Sequence, residues 1–135
     1  MLITPDMPTL GYKCQLAKRF DRASHSYDSY AEFQKLVLKR LLAMLPSNSA
    51  DIVLDLGSGT GQALSALTKS LCPVSCIALD LSPRMLTVAR ERFSLLHNTH
   101  YVCADAEFLP LQSSSCDLVF SSLAIQWCLS PSDLF

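Results

Sequence analysis

The residues best placed to do chemistry are three glycines and an aspartate in the stretch DLGSGTG at positions 55–61. Gly57, Gly59 and Gly61 permit a sharp turn and a close approach of the backbone to a ligand, and a helix that follows would direct free N–H groups at it. Gln62 stands where the dinucleotide fingerprint GxGxxG needs its third glycine, and no GK[ST] of a phosphate-binding P-loop is present. Asp55 would repel a pyrophosphate but suits an amino group, so a zwitterionic or cationic ligand is favoured; an ordinary glycine-rich turn is the alternative.

Further polar residues follow the next predicted strands. Asp80 lies 19 residues after Gly61, where an acid can accept hydrogen bonds from ribose hydroxyls, or it is a charge at a helix N-terminus. Asp105 could accept a hydrogen bond from the exocyclic amine of adenine while the next backbone N–H meets a ring nitrogen, or it caps a helix. Ser121 ends the fourth predicted strand. Because open α/β sheets bind ligands at the carboxyl ends of their strands, these positions predict one site.

Alternating strands and helices must position these residues. Apolar runs predict strands at 52–56, 74–79, 100–103 and 116–120, with helices at 62–71 and 82–96. The alternation indicates a parallel sheet with both faces covered. If the strand order is 3-2-1-4, the end of the fourth strand lies beside the glycine stretch. A loose lead-in of ten residues, a polar helix at 13–24 and a stronger amphipathic helix precede the sheet. The apolar stripe of that stronger helix consists of Phe33, Val37, Leu41, Met44 and Leu45.

We therefore predict a single α/β domain over residues 1–135, with an N-terminal helical segment at 1–45 and a cofactor-binding βαβ core at 51–135. Half of the chain is hydrophobic and 17% is charged, so it is built to bury a core and is not a disordered tail. The net charge of −1 excludes a globally basic nucleic-acid binder. The longest nearly apolar stretch, 118–129, is too short and too polar to span a bilayer.

The N-terminus and the cysteines bear on the compartment. Pro5, Asp6 and Pro8 stand where a signal peptide needs an apolar run. The six cysteines and three histidines show no metal-ligand spacing. We therefore expect a reduced, cytoplasmic protein without a metal site.

The strand-end motifs resemble those of class I S-adenosylmethionine-dependent methyltransferases. VLDLGSGTG is similar to the first motif of that family, IALDLSPRML to its second and CADAEFLPL to its third. The resemblance implies a Rossmann-like, doubly wound parallel sheet and S-adenosylmethionine as the cofactor. It implies that Asp55 and Gly57 face the methionine end, that Asp80 holds the ribose and that Asp105 and Ala106 hold adenine. Ser121 would approach the methionine from the fourth strand, and Gly59, Gly61 and Leu81 are further implied cofactor contacts.

Two further stretches resemble a narrower family, the malonyl-acyl carrier protein O-methyltransferases of biotin synthesis. RFDRASHSYDSYAEFQK precedes the sheet and SSLAIQWC follows the fourth strand, and the resemblance covers about residues 14–130. It implies methylation of the free carboxyl of malonyl-acyl carrier protein, a nucleophile that is already ionised and needs no general base, so no catalytic residue is assigned. Tyr27 is a candidate lid over the cofactor or, equally, a packed aromatic residue, and Trp127 is expected in the core rather than at the substrate.

The resemblance extends over only part of the family fold, which has seven strands. The chain ends after its fourth predicted strand, so we expect a domain truncated there, with strand four as an exposed apolar edge. Three functions stay open: a methyltransferase of biotin synthesis, a methyltransferase with another small-molecule acceptor, and an inactive cofactor-binding remnant.

Charge is divided along the chain, with a net +4 over residues 12–45 and a net −4 over residues 46–135. The basic residues of the first segment are Lys13, Lys18, Arg19, Arg22, Lys35, Lys39 and Arg40. Acyl carrier proteins are acidic, so a basic helical face near the site would steer one in, whereas neither nucleic acid nor a membrane is an expected partner. An ordinary solvated helix face is the alternative.

Overall fold

The computed structural model describes residues 7–24 and 32–134, in which two helices precede an alternation of strands and helices. The helices are α1 (Met7–Ala23), α2 (Glu32–Ala43), α3 (Leu64–Leu71) and α4 (Pro83–Arg92). The strands are β1 (Ile52–Leu56), β2 (Ser75–Asp80), β3 (Thr99–Cys103) and β4 (Leu118–Phe120), and short 3-10 helices follow at Ile125–Trp127 and Pro131–Leu134. The predicted α/β fold class is confirmed.

The four strands form one parallel sheet, as predicted, and their order is β3-β2-β1-β4, which places β4 beside β1. β1 is central, and its Val53 lies opposite Cys76 of β2 and Leu118 of β4. Because the strands are parallel, their carboxyl ends lie at one edge of the sheet, and the candidate site residues follow them there.

The two faces of the sheet pack differently. Val53 and Cys76 belong to a buried cluster with Leu67 of α3, so helical leucines cover this face. Leu54 and Leu79 point to the opposite face, where the cluster is completed by side chains between residues 102 and 116. Within the described ranges no helix contributes to that second cluster. Both faces of the sheet were expected to be covered, and among the described residues helices cover only one of them. The connection from β3 to β4 is a run of turns instead of a helix.

Three helix boundaries differ from the predictions. α1 begins at Met7 instead of residue 13, because Pro8 lies in the first turn, where its missing N–H group leaves no helical hydrogen bond unmade. α3 begins at Leu64 instead of residue 62, because the glycine stretch continues as turns. α4 ends at Arg92 instead of residue 96, and Phe93 is its C-terminal capping residue.

The predicted apolar stripe of α2 is partly wrong. Phe33 is 70% exposed and Met44 is 78% exposed. Leu41 and Leu45 pack against the core as predicted, but the side chains beside them there are those of Leu38 and Leu42. These four follow the same three- and four-residue spacing. The periodicity therefore indicated an amphipathic helix, but it fitted two neighbouring apolar stripes and did not show which of them is buried.

β4 is one edge of the described sheet, as expected. Its Val119 lies opposite Leu54 of β1 and is 56% exposed. In residues 7–24 and 32–134, no helix has both the length and the apolar character needed to cross a membrane.

Candidate functional site

The glycine stretch forms a loop in which all three glycines have positive φ, at 74°, 55° and 82°. The amides of Gly57 and Ser58 both donate to the carbonyl of Leu79, at 2.8 and 2.9 Å, which holds the loop against the end of β2. A Cβ at Gly59 would meet no atom within 4 Å, so this glycine faces open space in the cleft. A Cβ at Gly57 would lie 2.2 Å from the Cβ of Ala124, so that glycine is required by packing.

Gly61 is also a packing residue. A Cβ there would approach Leu64 at 2.9 Å and Phe93 at 3.0 Å, and Gly61 does not line the cleft. The sequence assigned the same role to all three glycines, but the structure separates them. Gly57 and Gly59 line the cleft and Gly61 does not, while Gly57 and Gly61 also let neighbouring elements approach closely.

Asp55 lies at the floor of the cleft and is 2% exposed. No described residue hydrogen bonds to its Oδ2, and the hydroxyl of Ser58 in the same cleft is likewise buried without a described partner. Burial, and secondarily the charge of Asp80, raises the pKa of Asp55 to about 7. Buried polar atoms in native proteins are normally paired, so these two atoms mark a place where a polar ligand would bind.

Asp80 connects the glycine loop to the start of α4 through two hydrogen bonds. Its Oδ2 accepts a hydrogen bond from the amide of Gly59 at 2.8 Å, and its Oδ1 accepts one from the amide of Ser82 at 2.9 Å. Burial raises the pKa of Asp80, although these backbone donors oppose the shift. Each carboxylate oxygen has a second lone pair, so Asp80 can still accept from ribose hydroxyls. The next residue, Leu81, lines the cleft.

Asp105 also lines the cleft, and its Oδ1 accepts hydrogen bonds from Lys13 Nζ at 3.1 Å and from the amide of Glu107 at 3.0 Å. Lys13 also forms an ion pair with the carboxylate of Glu107. The following residue, Ala106, lines the cleft.

Lys13 corrects the interpretation of the N-terminal charges. It was counted in a solvated basic face, but it is 7% exposed and lies inside the cleft. Burial lowers its pKa, but hydrogen bonds to Glu107 and Asp105 and their charges more than compensate, so the pKa of Lys13 is raised. Leu16 and Phe20 of the same helix line the cleft as well. The steps of three residues from Lys13 to Leu16 and of four from Leu16 to Phe20 are the sequence signal that could have identified this face.

The end of β4 contributes differently from expectation. The hydroxyl of Ser121 donates to the carbonyl of Leu56 at 2.9 Å, and Ser121 is not among the residues that line the cleft, whereas Ser122 is. The prediction that Trp127 lies in the core is wrong: its side chain is partly exposed and lines the cleft, where its ring meets Phe20 edge-on with centroids 5.8 Å apart.

The cleft thus brings together most of the predicted cofactor contacts. Those that line it are Asp55, Gly57, Gly59, Asp80, Leu81, Asp105 and Ala106. Gly61 and Ser121 adjoin the loop and β1 without lining the cleft, and Tyr27 lies outside the described residues. Across the part of the chain that the structure describes, no cluster of histidine, cysteine and acidic side chains is placed to hold a metal ion.

Comparison with known proteins gives consistent results. A family model described as a methyltransferase domain matches residues 54–135. A malonyl-[acyl-carrier protein] O-methyltransferase of Marinomonas sp. (strain MWYL1) is 77% identical over all of this chain, which covers 50% of that relative. The enzyme with the same name from Pectobacterium atrosepticum is 42% identical over 90% of this chain and 47% of its own length. The chain therefore spans about half the length of the curated relatives it matches.

Solved structures show the same fold. A methyltransferase of Haloferax volcanii, in complex with a methyltransferase activator, superposes with a TM-score of 0.75 at 29% identity and covers 85% of this chain and 51% of its own. An S-adenosylmethionine-dependent methyltransferase of Mesorhizobium loti superposes with a TM-score of 0.62 at 34% identity, over 71% of this chain and 43% of its own.

Proposed function

This chain belongs to the methyltransferase domain family, and we propose that its cleft binds S-adenosylmethionine for methyl transfer to the free carboxyl of malonyl-acyl carrier protein. The single observation that supports the cofactor most strongly is Asp55, a buried carboxylate that lines the cleft and whose Oδ2 has no described hydrogen-bond partner. The names of the relatives support the acceptor.

The residues present fit the cofactor. The amino group of its methionine end is a cation that would pair with Asp55, and such a pair would satisfy the orphaned Oδ2. The open space at Gly59 leaves room for the ligand against the loop backbone. Asp80 and Asp105 supply acceptors for ribose hydroxyls and for the adenine amine, and the amide of Ala106 is a donor for a ring nitrogen.

In this proposal the chain binds and orients the cofactor, and none of its side chains takes part in the reaction. When bound, S-adenosylmethionine supplies a methyl group on a sulfonium that is already activated for displacement. Asp55, Asp80 and Asp105 fix its position from three strand ends, and the apolar side chains of Leu16 and Phe20 exclude water from the cleft. A malonyl carboxylate is ionised at neutral pH, so no residue is needed as a general base, and we assign none.

Isothermal titration calorimetry tests the cofactor directly. We expect S-adenosylmethionine and S-adenosylhomocysteine to bind the folded chain and NAD not to bind, because the loop lacks the third glycine of the dinucleotide fingerprint. Binding of NAD without binding of S-adenosylmethionine would refute the proposal. Binding of the cofactor with no methylation of any carboxylate acceptor would leave the chain as a cofactor-binding module.

We propose that the acyl carrier protein docks on α2, because Gln34 and Leu38 of this helix border the cleft and its basic side chains are exposed. The side chains concerned are those of Lys35, Lys39 and Arg40. Long-range attraction between a basic helix and an acidic partner increases the association rate and decreases with salt.

Charge reversal tests this docking. Changing Lys35, Lys39 and Arg40 to Glu should weaken binding of malonyl-acyl carrier protein, most at low salt, in a fluorescence anisotropy titration. The control reverses three exposed basic residues of α1, Lys18, Arg19 and Arg22, which changes the net charge equally. Equal loss in both variants would mean that net charge, and not the α2 face, attracts the partner.

We also propose that the protein acts in the cytoplasm. All six cysteines are unpaired, as expected of a reducing compartment. Fractionation of cells that express the tagged protein would test this, and recovery with the periplasmic or membrane fraction would contradict it.

A further inference from the structure

We infer that Lys13 is a positioning residue that couples the adenine end of the cleft to the wall that carries Trp127. The wall consists of residues 122–130, which follow β4. The inference rests on the proposed function insofar as it concerns cofactor affinity. The link between Lys13 and the wall stands on contacts within the chain.

The first step is the ion pair itself. The Lys13 ammonium contacts the carboxylates of both Asp105 and Glu107, and the three side chains are 9%, 17% and 9% exposed. Two carboxylates this close to each other and this deeply placed repel unless a cation lies between them. Lys13 compensates the charge of this carboxylate pair, and the pKa of Glu107 is lowered, against the effect of its own burial, by the hydrogen bond from Lys13.

The second step leads from Glu107 to the wall. Its Oε2 accepts a hydrogen bond from the amide of Leu129 at 3.0 Å, and its Oε1 accepts one from the amide of Ser130 at 2.6 Å. Both oxygens thus hold backbone just beyond Trp127 and Cys128, which line the cleft. Hydrogen bonds to a charged acceptor are stronger than neutral ones, so the ionised state that Lys13 maintains also fixes this backbone.

The third step concerns Asp105. Its Oδ1 is occupied by Lys13 and by the amide of Glu107, and no described residue donates to its Oδ2. The carboxylate is therefore oriented with one oxygen available to a ligand donor. Loss of Lys13 would free the carboxylate to rotate and would leave Asp105 and Glu107 as an uncompensated pair.

Anchoring of α1 alone does not account for these contacts. Asp21 already ties α1 to the start of α4, because its Oδ1 accepts from the Ser82 hydroxyl at 2.5 Å and from the Arg84 amide at 3.2 Å. If Lys13 were one more anchor, loosening either attachment would have the same consequences. If Lys13 positions Asp105 and Glu107, its loss changes the cleft and the wall specifically.

Trp127 is the only tryptophan of the chain, so its fluorescence reports on the wall. We expect Lys13→Met and Glu107→Gln to shift the emission of the ligand-free protein to longer wavelength, and Lys13→Arg to restore most of the parent spectrum. Lys18→Met, on an exposed position of the same helix, is the matched control and should change nothing. Asp21→Asn should lower the melting temperature without this spectral shift.

Titration with S-adenosylhomocysteine completes the test. We expect Lys13→Met to weaken binding by about tenfold, which corresponds to about 1.4 kcal/mol, and to lose the emission change that accompanies binding in the parent. Parent-like emission and affinity in Lys13→Met would overturn the inference, as would equal spectral shifts in Lys13→Met and Asp21→Asn. If Lys13→Met does not fold, Glu107→Gln decides the link: a parent-like spectrum refutes it. If the parent binds no S-adenosylhomocysteine, the proposed function fails, while the ligand-free spectra still test the link.

Discussion

At the scale of the residue, the central feature is a carboxylate that is costly to bury. Asp55 points to the same face of β1 as Val53, because side chains alternate along a strand, and the neighbouring Asp80 adds a second negative charge. Burial of an unpaired charge is unfavourable, so the ligand-free protein holds Asp55 with a pKa of about 7. A cationic ligand group would remove this penalty, and this is the physical basis for the proposal that Asp55 binds the amino group of the cofactor.

The first prediction concerns stability and pH. The pKa of Asp55 rises from 3.8 to about 7 on folding, so between these values the folded state binds more protons than the unfolded state. Its contribution to stability is therefore present below about pH 4 and is lost as the pH rises through about 7. Urea unfolding should show Asp55→Asn gaining stability relative to the parent over this interval. A constant difference between the two proteins would contradict the buried, unpaired carboxylate.

The second prediction concerns Asp80, whose two oxygens accept from the amides of Gly59 and Ser82. Asn has one acceptor oxygen, so Asp80→Asn leaves one of these amides without its partner and should cost about 1–3 kcal/mol in urea unfolding. S-adenosylhomocysteine should also bind more weakly. Asp51→Asn, an exposed position just before β1, is the control and should behave like the parent.

Sequence reasoning located Asp55, Asp80 and Asp105 because the carboxyl ends of parallel strands converge, a rule that needs only local patterns. It could not locate the partner of Asp105, since Lys13 is 92 residues away in the chain. A lysine in a polar helix is usually solvated. Only the packing of α1 across the cleft makes it a buried ion-pair partner.

At the scale of the element, the glycine loop and the helix that follows β2 define the site. Gly57 and Gly59 both have positive φ, but a Cβ would overlap Ala124 at Gly57 and would meet no atom at Gly59. Ser82 is the N-cap of α4, and its hydroxyl accepts a hydrogen bond from the amide of Met85 at 3.1 Å. Gly57 and Ser82 therefore stabilise the structure around the cleft, whereas Gly59 leaves space in the cleft open.

The third prediction compares the two glycines. Gly57→Ala should strongly destabilise the fold, because its Cβ would overlap that of Ala124 in addition to the strain of a left-handed backbone. Gly59→Ala should cost about 1–2 kcal/mol for the backbone strain alone, yet it should weaken S-adenosylhomocysteine binding, because its methyl group enters the cleft. Thermal unfolding and calorimetry distinguish the two. A Gly59→Ala protein with parent affinity would contradict the placement of the ligand.

The fourth prediction concerns the start of α4. Ser82→Ala removes both the cap to Met85 and the hydroxyl that donates to Asp21, so we expect a loss of about 1–2 kcal/mol in urea unfolding. Thr87→Ala is the control, since its hydroxyl bonds only within the exposed part of the same helix. Equal effects of the two changes would contradict a special role for the capping residue.

Elements were easier to predict than their faces. The parallel sheet and the strand ends followed from the alternation of strands and helices and from the glycine stretch. The buried face of α2 did not, because Phe33 and Met44 are as apolar as Leu38 and Leu42, and only tertiary packing decides between the two stripes.

At the scale of the whole molecule, the described sheet is covered unevenly. α2 and α3 pack on the face with Val53, while Val119 on the opposite face lies at the β4 edge and is largely exposed. Exposed apolar side chains on an edge strand favour pairing with another chain.

The fifth prediction is that the 135-residue chain self-associates through this edge. Val119→Lys should shift sedimentation towards the monomer, because lysine on an edge strand opposes pairing. Val74→Lys, an exposed apolar position beside β2, is the control. A parent chain that is monomeric at ordinary concentration, or equal effects of both changes, would contradict this prediction.

The most direct test of the central claim is a comparison of two ligands on two proteins. S-adenosylhomocysteine and 5′-methylthioadenosine share adenine, ribose and sulfur, but only the first carries the amino-acid group that we place at Asp55. Calorimetry should show that the parent prefers S-adenosylhomocysteine, and that Asp55→Asn reduces this preference by about tenfold or more, as expected for a lost hydrogen bond between charged groups. The same preference in both proteins, or no binding of either ligand to the folded parent, would contradict the account.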